Sequence, residues 1–202
     1  VITEEGRHGG PQARIVQVSK YLVAQDMDVT VIVPSQNSSD LQNKLTEAAI
    51  PHVCVSLHRL TKNRRELVAF LFTFPIEIAR LYRLLRQIRP DLVHCNGSWQ
   101  MKGMIAGKLA GVRTLWHMND TSMPRLVFCV FTIISKLFTD AFIYAGERVR
   151  NYYLSRGSRK RRPAFEVQAP VDASVFNPEI VAPDARILAL PGLKIVTVGN
   201  IN

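Results

Sequence analysis

Short runs of β-branched and apolar residues alternate along this chain with longer stretches whose apolar positions recur every three or four residues. That alternation predicts a parallel α/β sheet. Asp28–Pro34 (DVTVIVP) is a continuous apolar run, as expected of a strand buried on both faces. Pro51–Leu57, Asp91–Cys95, Arg113–His117, Asp140–Ala145 and Ala164–Gln168 read as further strands, and Val1-Ile2 as the end of a first one. Helical patterns fall between them at Ala13–Gln25, Asp40–Ala49, Glu66–Ile88, Gln100–Ala110, Leu126–Phe138 and Arg148–Ser155. Residues 169–190, with Pro170, Pro178 and Pro183, read as a linker, and Leu193–Val198 as one more strand before a turn at Gly199.

Two helices carry a second reading. Leu67, Leu71, Phe74, Ile78, Leu81, Leu85 and Ile88 form an apolar stripe, Pro75 predicts a kink, and the other face carries Arg80, Arg83, Arg86 and Arg89. Such a helix either covers the sheet with a basic C-terminal end or lies on an anionic membrane surface. Leu126–Phe138 is almost wholly apolar yet too short to span a bilayer. It reads as a core helix or as a partner-facing one.

Composition narrows the class. With 202 residues, 47% hydrophobic and 21% charged, the chain is globular rather than disordered. Its net charge of +10 favours anionic partners such as nucleotide phosphates or lipid headgroups. The excess gathers at Lys62, Arg64, Arg65, Arg80, Arg83, Arg86 and Arg89, and again at Arg156, Arg159, Lys160, Arg161 and Arg162. Neither cluster is interleaved with aromatic residues, so nucleic acid is not an expected partner. Cys54, Cys95 and Cys129 each sit in an apolar run without a CxxC, which predicts buried free thiols and a reducing compartment.

The chemistry should lie beyond the carboxyl ends of the strands, where open parallel sheets bind ligands. After the first strand comes Gly6-Arg7-His8-Gly9-Gly10-Pro11-Gln12, a glycine loop opening a helix. Gly9 and Gly10 let a phosphate approach backbone N–H groups at the positive end of the helix. The loop has neither the GxGxxG nor the GK[ST] pattern. Asn96-Gly97-Ser98 comes after the fourth strand, His117-Met118-Asn119-Asp120 closes the fifth, and Gly146-Glu147 comes after the sixth. His117 is the leading chemical candidate, expected to face the crevice. The five histidines lack metal-ligand spacing. No GxSxG elbow and no paired carboxylates appear.

Taken together, these segments resemble the N-terminal domain of a family 4 (group 1) retaining glycosyltransferase of GT-B architecture. The matching residues are Gly9-Gly10, Pro90-Asp91-Leu92-Val93-His94, the His117 strand end, Ala145-Gly146-Glu147, Val171-Asp172 with Phe176 and Pro178, and Val198-Gly199. Asn96, Gly146, Ala169-Pro170 and Asn200 depart from the family pattern.

The resemblance implies a Rossmann-like parallel sheet with helices on both faces over residues 1–168, a linker over 169–190, and the start of a nucleotide-sugar domain over 191–202. It implies transfer of a sugar, with retention and without a metal or other cofactor, from a nucleotide-sugar donor to a sugar or lipid-linked acceptor. The implied setting is polysaccharide or glycolipid synthesis in the cytoplasm, with peripheral contact to an anionic membrane. His117 would contact the donor sugar, and Gly9, Gly10, Asn96, Gly97, Asn119, Asp120 and Glu147 would line the substrate site. The fragment alone is expected to be catalytically silent. Two other classes fit the fold: a non-catalytic sugar or nucleotide binding module, and a sugar-nucleotide epimerase or phosphorylase.

Overall fold

The strands form one parallel sheet, built from β1 (Ile2–Thr3), β2 (Val31–Pro34), β3 (His52–Val55), β4 (Leu92–Asn96), β5 (Arg113–Met118), β6 (Ala141–Tyr144) and β7 (Ala164–Glu166). Their order is β3-β2-β1-β4-β5-β6-β7. The computed structural model describes residues 1–7, 9–60, 64–155, 162–174, 176–177, 179–180, 182 and 184–194, with the side chains of 64–66 left aside. The strand order reverses between β1 and β4, which opens a crevice at their carboxyl ends.

The helices are α1 (Gly10–Val23), α2 (Ser39–Glu47), α3 (Arg64–Ile88), α4 (Met101–Leu109), α5 (Arg125–Phe138), α6 (Glu147–Ser155) and α7 (Ala185–Leu188). Helix α1 starts three residues before its apolar period does, because Pro11 fits the first helical positions, where no intrahelical N–H partner is needed. Helix α3 continues through Pro75 as one element.

Two cores lie on opposite faces of the sheet. On one face Ile15 of α1 and Leu41 and Leu45 of α2 pack on Val31 and Val33. On the other, Leu81 and Leu85 of α3, Met104 of α4, Phe128 and Phe131 of α5 and Tyr153 of α6 pack on Ile2, Val93, Trp116 and Phe142. Helix α4 sits tightest. A Cβ on Gly103 would lie 2.6 Å from Cys95 Sγ, and one on Gly107 2.9 Å from Thr114 Cγ2. These two glycines, one turn apart, are what let the helix press onto β4 and β5.

Several expectations are corrected. Cys95 is buried, but Cys54 and Cys129 are exposed. Cys54 lies on edge strand β3 and Cys129 on the outward side of α5, where an apolar neighbourhood in sequence does not mean burial. Leu71, expected on the core stripe of α3, is exposed, whereas Phe70, Glu77, Leu81 and Leu85 turn inward. Helix α5 is neither fully core nor fully outward. Phe128, Phe131 and Ile134 are buried, while Leu126, Val130, Ile133 and Leu137 form an exposed apolar stripe. Among the described residues, no helix is long and apolar enough to cross a membrane.

Residues 171–202 form a separate unit. Within it Asp172 Oδ1 accepts from the N–H of Ser174 at 2.9 Å, and Asp184 caps the one-turn α7 by accepting from the N–H of Arg186 at 2.8 Å. The expected linker thus contains a short helix. The strand expected over 193–198 falls largely outside the described residues, as do Val198-Gly199, Pro178 and most of the second basic cluster.

Candidate functional site

His117 is the next-to-last residue of β5 and pairs in register with Asn96 of β4. Alternation along β5 sends Trp116 and Met118 to the α4 and α5 side and His117 to the α1 side. The ring is therefore not turned into open crevice as expected; it lies beneath α1 with 0% exposure. Its Nδ1 is 3.1 Å from Arg14 Nη1 and 3.3 Å from His94 Nε2. Arg14 Nη1 also approaches His117 Nε2. The two imidazoles stack at 5.5 Å with an interplanar angle of 14°. Arg14 Nη2 donates to the Val167 carbonyl at 3.5 Å, tying α1 to the residue after β7.

The electrostatics are set by burial. Desolvation, then the cationic Arg14, then His94, push His117 down to about 2. Burial likewise takes His94 down to about 3. Both rings are neutral at physiological pH, so His117 offers one ring donor and one acceptor rather than a charge.

Gly9 is the N-cap of α1 with extended backbone, and its carbonyl accepts from the N–H of Ala13 at 2.9 Å. Among the described residues, an added Cβ on Gly10 would meet nothing within 4 Å. Arg14 stands one turn further along, so the first turn of α1 and His117 share one corner. Gly97 belongs to the same corner. Its φ of +118° suits glycine, its N–H donates to the His117 carbonyl at 3.0 Å, and its own carbonyl accepts from Trp116 Nε1 at 3.0 Å. Asn96 is buried, and its Nδ2 has no hydrogen-bond partner among the described residues. Asn119 donates its backbone N–H to Ser98 Oγ at 3.3 Å, which links the β4 and β5 loops.

The remaining expected residues stand apart. Asp120 Oδ1 accepts from the N–H and hydroxyl of Ser122, at 3.1 and 3.2 Å, and so shapes its own loop. Glu147 is exposed in the first turn of α6, where an acidic residue suits the helix dipole.

Sequence reasoning missed Arg14 and a second buried cluster. Arg14 had a signal: it lies four residues after Gly10, hence on the same helix face. The cluster is Glu4, Glu77 and Lys102. Lys102 Nζ donates to Glu77 Oε2 at 2.7 Å, lies 3.8 Å from Glu4 Oε1, and sits 4.5 Å from the Phe70 ring centroid. His58 Nδ1 is 2.5 Å from Glu77 Oε1. Burial alone would raise Glu77, but bonds from Lys102 and His58 outweigh it and hold the carboxyl below its ordinary range. For Glu4 burial wins, raising it to about 7.

Comparison with solved structures finds the same fold. A glycosyltransferase from Rickettsia africae aligns with a TM-score of 0.67 at 16% identity, covering 90% of this chain and 46% of that one. HepE from Anabaena in complex with UDP-glucose gives 0.65 at 15%, covering 87% and 45%. S. aureus MnaA with UDP gives 0.55 at 18%, covering 83% and 43%. This chain thus spans less than half the length of each. Comparison with curated sequences finds no match. The architecture is that of the Rossmann-like N-terminal half of a GT-B glycosyltransferase. The profile for Glycosyltransferase Family 4 matches residues 8–174, most of the chain, and the chain belongs to that family.

Proposed function

We propose that this chain is the acceptor-side half of a retaining glycosyltransferase, which moves a sugar from a nucleotide-sugar donor to an acceptor hydroxyl in cell-surface polysaccharide or glycolipid synthesis. The observation that carries this reading is the convergence of the α1 first turn, Gly97 and His117 at the switch point of a Family 4 sheet. UDP-glucose on HepE and UDP on MnaA support a nucleotide sugar as the donor class. In this reading residues 1–168 hold the acceptor, 169–190 link, and 191–202 begin the nucleotide domain.

Charge builds on the diphosphate as the sugar leaves. The α1 dipole and the N–H groups of Gly10 and Gln12 stabilise it, while Pro11 contributes no donor. Neutral His117 hydrogen-bonds a hydroxyl of the donor sugar and fixes its orientation. The ring is covered, so Arg14 must swing aside for that contact, and its guanidinium then adds positive charge at the same corner. Asn96 Nδ2, buried without a partner among the described residues, gains one from substrate. No step calls for a metal, and activity should survive chelation.

The test uses the full-length protein with UDP-, GDP- and ADP-sugars, beside His117→Ala. Turnover of one donor, lost in the variant with the fold intact, supports the reading. No turnover and no nucleotide binding would favour the second reading, a non-catalytic binding module, to which the absence of exposed surface on His117 also points.

A further inference from the structure

Trp116 and His117 are neighbours on β5, and their side chains leave the sheet on opposite faces. His117 lies under α1. Trp116 lies on the other face with 0% exposure, its ring centroid 4.8 Å from that of Phe131 in α5. An indole buried among aromatic rings still carries one polar group, the Nε1–H, which needs an acceptor. It donates to the carbonyl of Gly97, the first residue after β4, at 3.0 Å.

Gly97 is tied at both of its backbone groups. Its N–H donates to the His117 carbonyl at 3.0 Å, and its carbonyl also accepts from the N–H of Gln100 at 3.2 Å. Its φ is +118°, and among the described residues an added Cβ would meet nothing within 4 Å. Crowding therefore does not fix this turn, and glycine reaches other conformations at little cost. The hydrogen bonds fix it. Two of the three are backbone to backbone, so the Trp116 bond is the one that a side chain supplies.

The turn carries Asn96 with it. Asn96 stands in register between Thr3 of β1 and His117 of β5. It is buried, and its Nδ2 has no hydrogen-bond partner among the described residues. An open buried donor is costly unless something completes it, and it serves a ligand best when its place is fixed beforehand.

We propose that Trp116 is a positioning residue. Through its bond to Gly97 it holds the β4–α4 turn, and so keeps the Asn96 amide placed beside His117 to donate to a substrate hydroxyl. The indole itself stays on the far face of the sheet and meets no substrate. That the amide serves a donor sugar rests on the transferase reading; the holding of the turn does not.

Trp116→Phe in the full-length protein keeps an aromatic ring against Phe131 and removes the N–H. Hydrogen exchange read by NMR should show the Gly97 N–H exchanging about tenfold faster, as one local bond is lost. The Ala145 N–H, bonded to the Met118 carbonyl at 3.0 Å, should keep its rate. Equal acceleration of both amides, or an unchanged Gly97, overturns the proposal. If Trp116→Phe fails to fold, Gly97→Ala breaks the same bond from its other end, because alanine disfavours that φ. The Trp116 indole proton resonance should then move upfield, and an unmoved resonance overturns the proposal. For whichever of the UDP-, GDP- and ADP-sugars is turned over, Trp116→Phe should raise KM about fivefold and leave kcat within about twofold, as for a weakened binding contact. Phe131→Leu, which loosens the same ring but spares its N–H, should leave KM unchanged. A fall in kcat with KM unchanged in Trp116→Phe marks a merely structural role and overturns the proposal. No turnover of any donor sinks the transferase reading alone, and the exchange rates still decide whether Trp116 holds the turn.

Discussion

Arg14 Nη1 lies 3.1 Å from Nδ1 of His117, a contact between helix α1 and strand β5 across 103 residues of sequence. A permanent cation beside a buried imidazole opposes its protonation, in addition to the cost of burial. Replacing Arg14 with Met should therefore raise the pKa of His117 from its depressed value, and Arg14→Lys should keep most of the depression. NMR titration of the ring protons reads both. An unchanged pKa in Arg14→Met would mean that burial acts alone.

The same histidines set an acid limit on stability. Their folded pKa values, about 3 for His94 and about 2 for His117, lie below the ordinary 6.5. Below pH 6.5 the unfolded chain therefore takes up protons that the folded chain refuses, and stability falls as pH drops, by about 1.4 kcal/mol per unit for each ring. Glu4 has the opposite sign. Its folded pKa is raised to about 7 from 4.5, so the folded state holds the extra proton, and its contribution fades as pH rises through 7. Between pH 4.5 and 6.5 two histidines oppose one carboxyl, and net stability should rise with pH. Urea midpoints across that range check this, and a flat profile would contradict it.

The sheet was legible from the sequence because each strand is a short β-branched or apolar run bounded by Pro, Gly or Asp. The corner at the carboxyl edge was legible because the switch-point rule needs only the strands and the loops that leave them. The hidden features depend on partners distant in sequence. That His117 lies under α1 comes from the parity of β5 and from Arg14 reaching across, neither of which periodicity reveals. The burial of Lys102 and Glu77 was hidden for the same reason, since a charged residue in a helical pattern reads as outward until its partner is placed. Exposed Leu71 and the outer stripe of α5 show the converse: apolar spacing marks a face without saying what covers it.

Gly103 offers a stability test. A methyl there would stand 2.6 Å from Cys95 Sγ in a buried, rigid contact. Ala would gain up to about 1 kcal/mol of helix propensity over Gly. Overpacking costs about 1–3 kcal/mol, so the clash wins. Gly103→Ala should lower the chemical denaturation midpoint, whereas Gly146→Ala, with nothing within 4 Å of an added Cβ, should not.

Thiol labelling checks the corrected cysteines. Cys54 and Cys129 are exposed, while Cys95 is buried and its thiol is pushed up by that burial. An aromatic disulfide reagent should titrate two thiols in the native protein and the third only in denaturant. Three fast thiols would show that α4 does not seal Cys95.

The outer stripes of α3 and α5 bear on membrane contact. Phe72 is 76% exposed and Leu126 80%, with Val68, Ile76, Val130, Ile133 and Leu137 also outward. Arg80, Arg83 and Arg86 share the exposed side of α3, and Arg125 and Lys136 flank the stripe of α5. Exposed apolar residues alongside basic ones on each helix suit an anionic bilayer, where each basic residue near the surface contributes about 1 kcal/mol. Co-sedimentation with vesicles should rise with phosphatidylglycerol content and fall with salt. Phe72→Asp and Ile133→Asp should each weaken it severalfold while leaving the fold intact, because both side chains already face solvent. Equal binding to neutral and anionic vesicles would show that the cations contribute nothing, and no binding to either would assign the stripes to a protein partner instead.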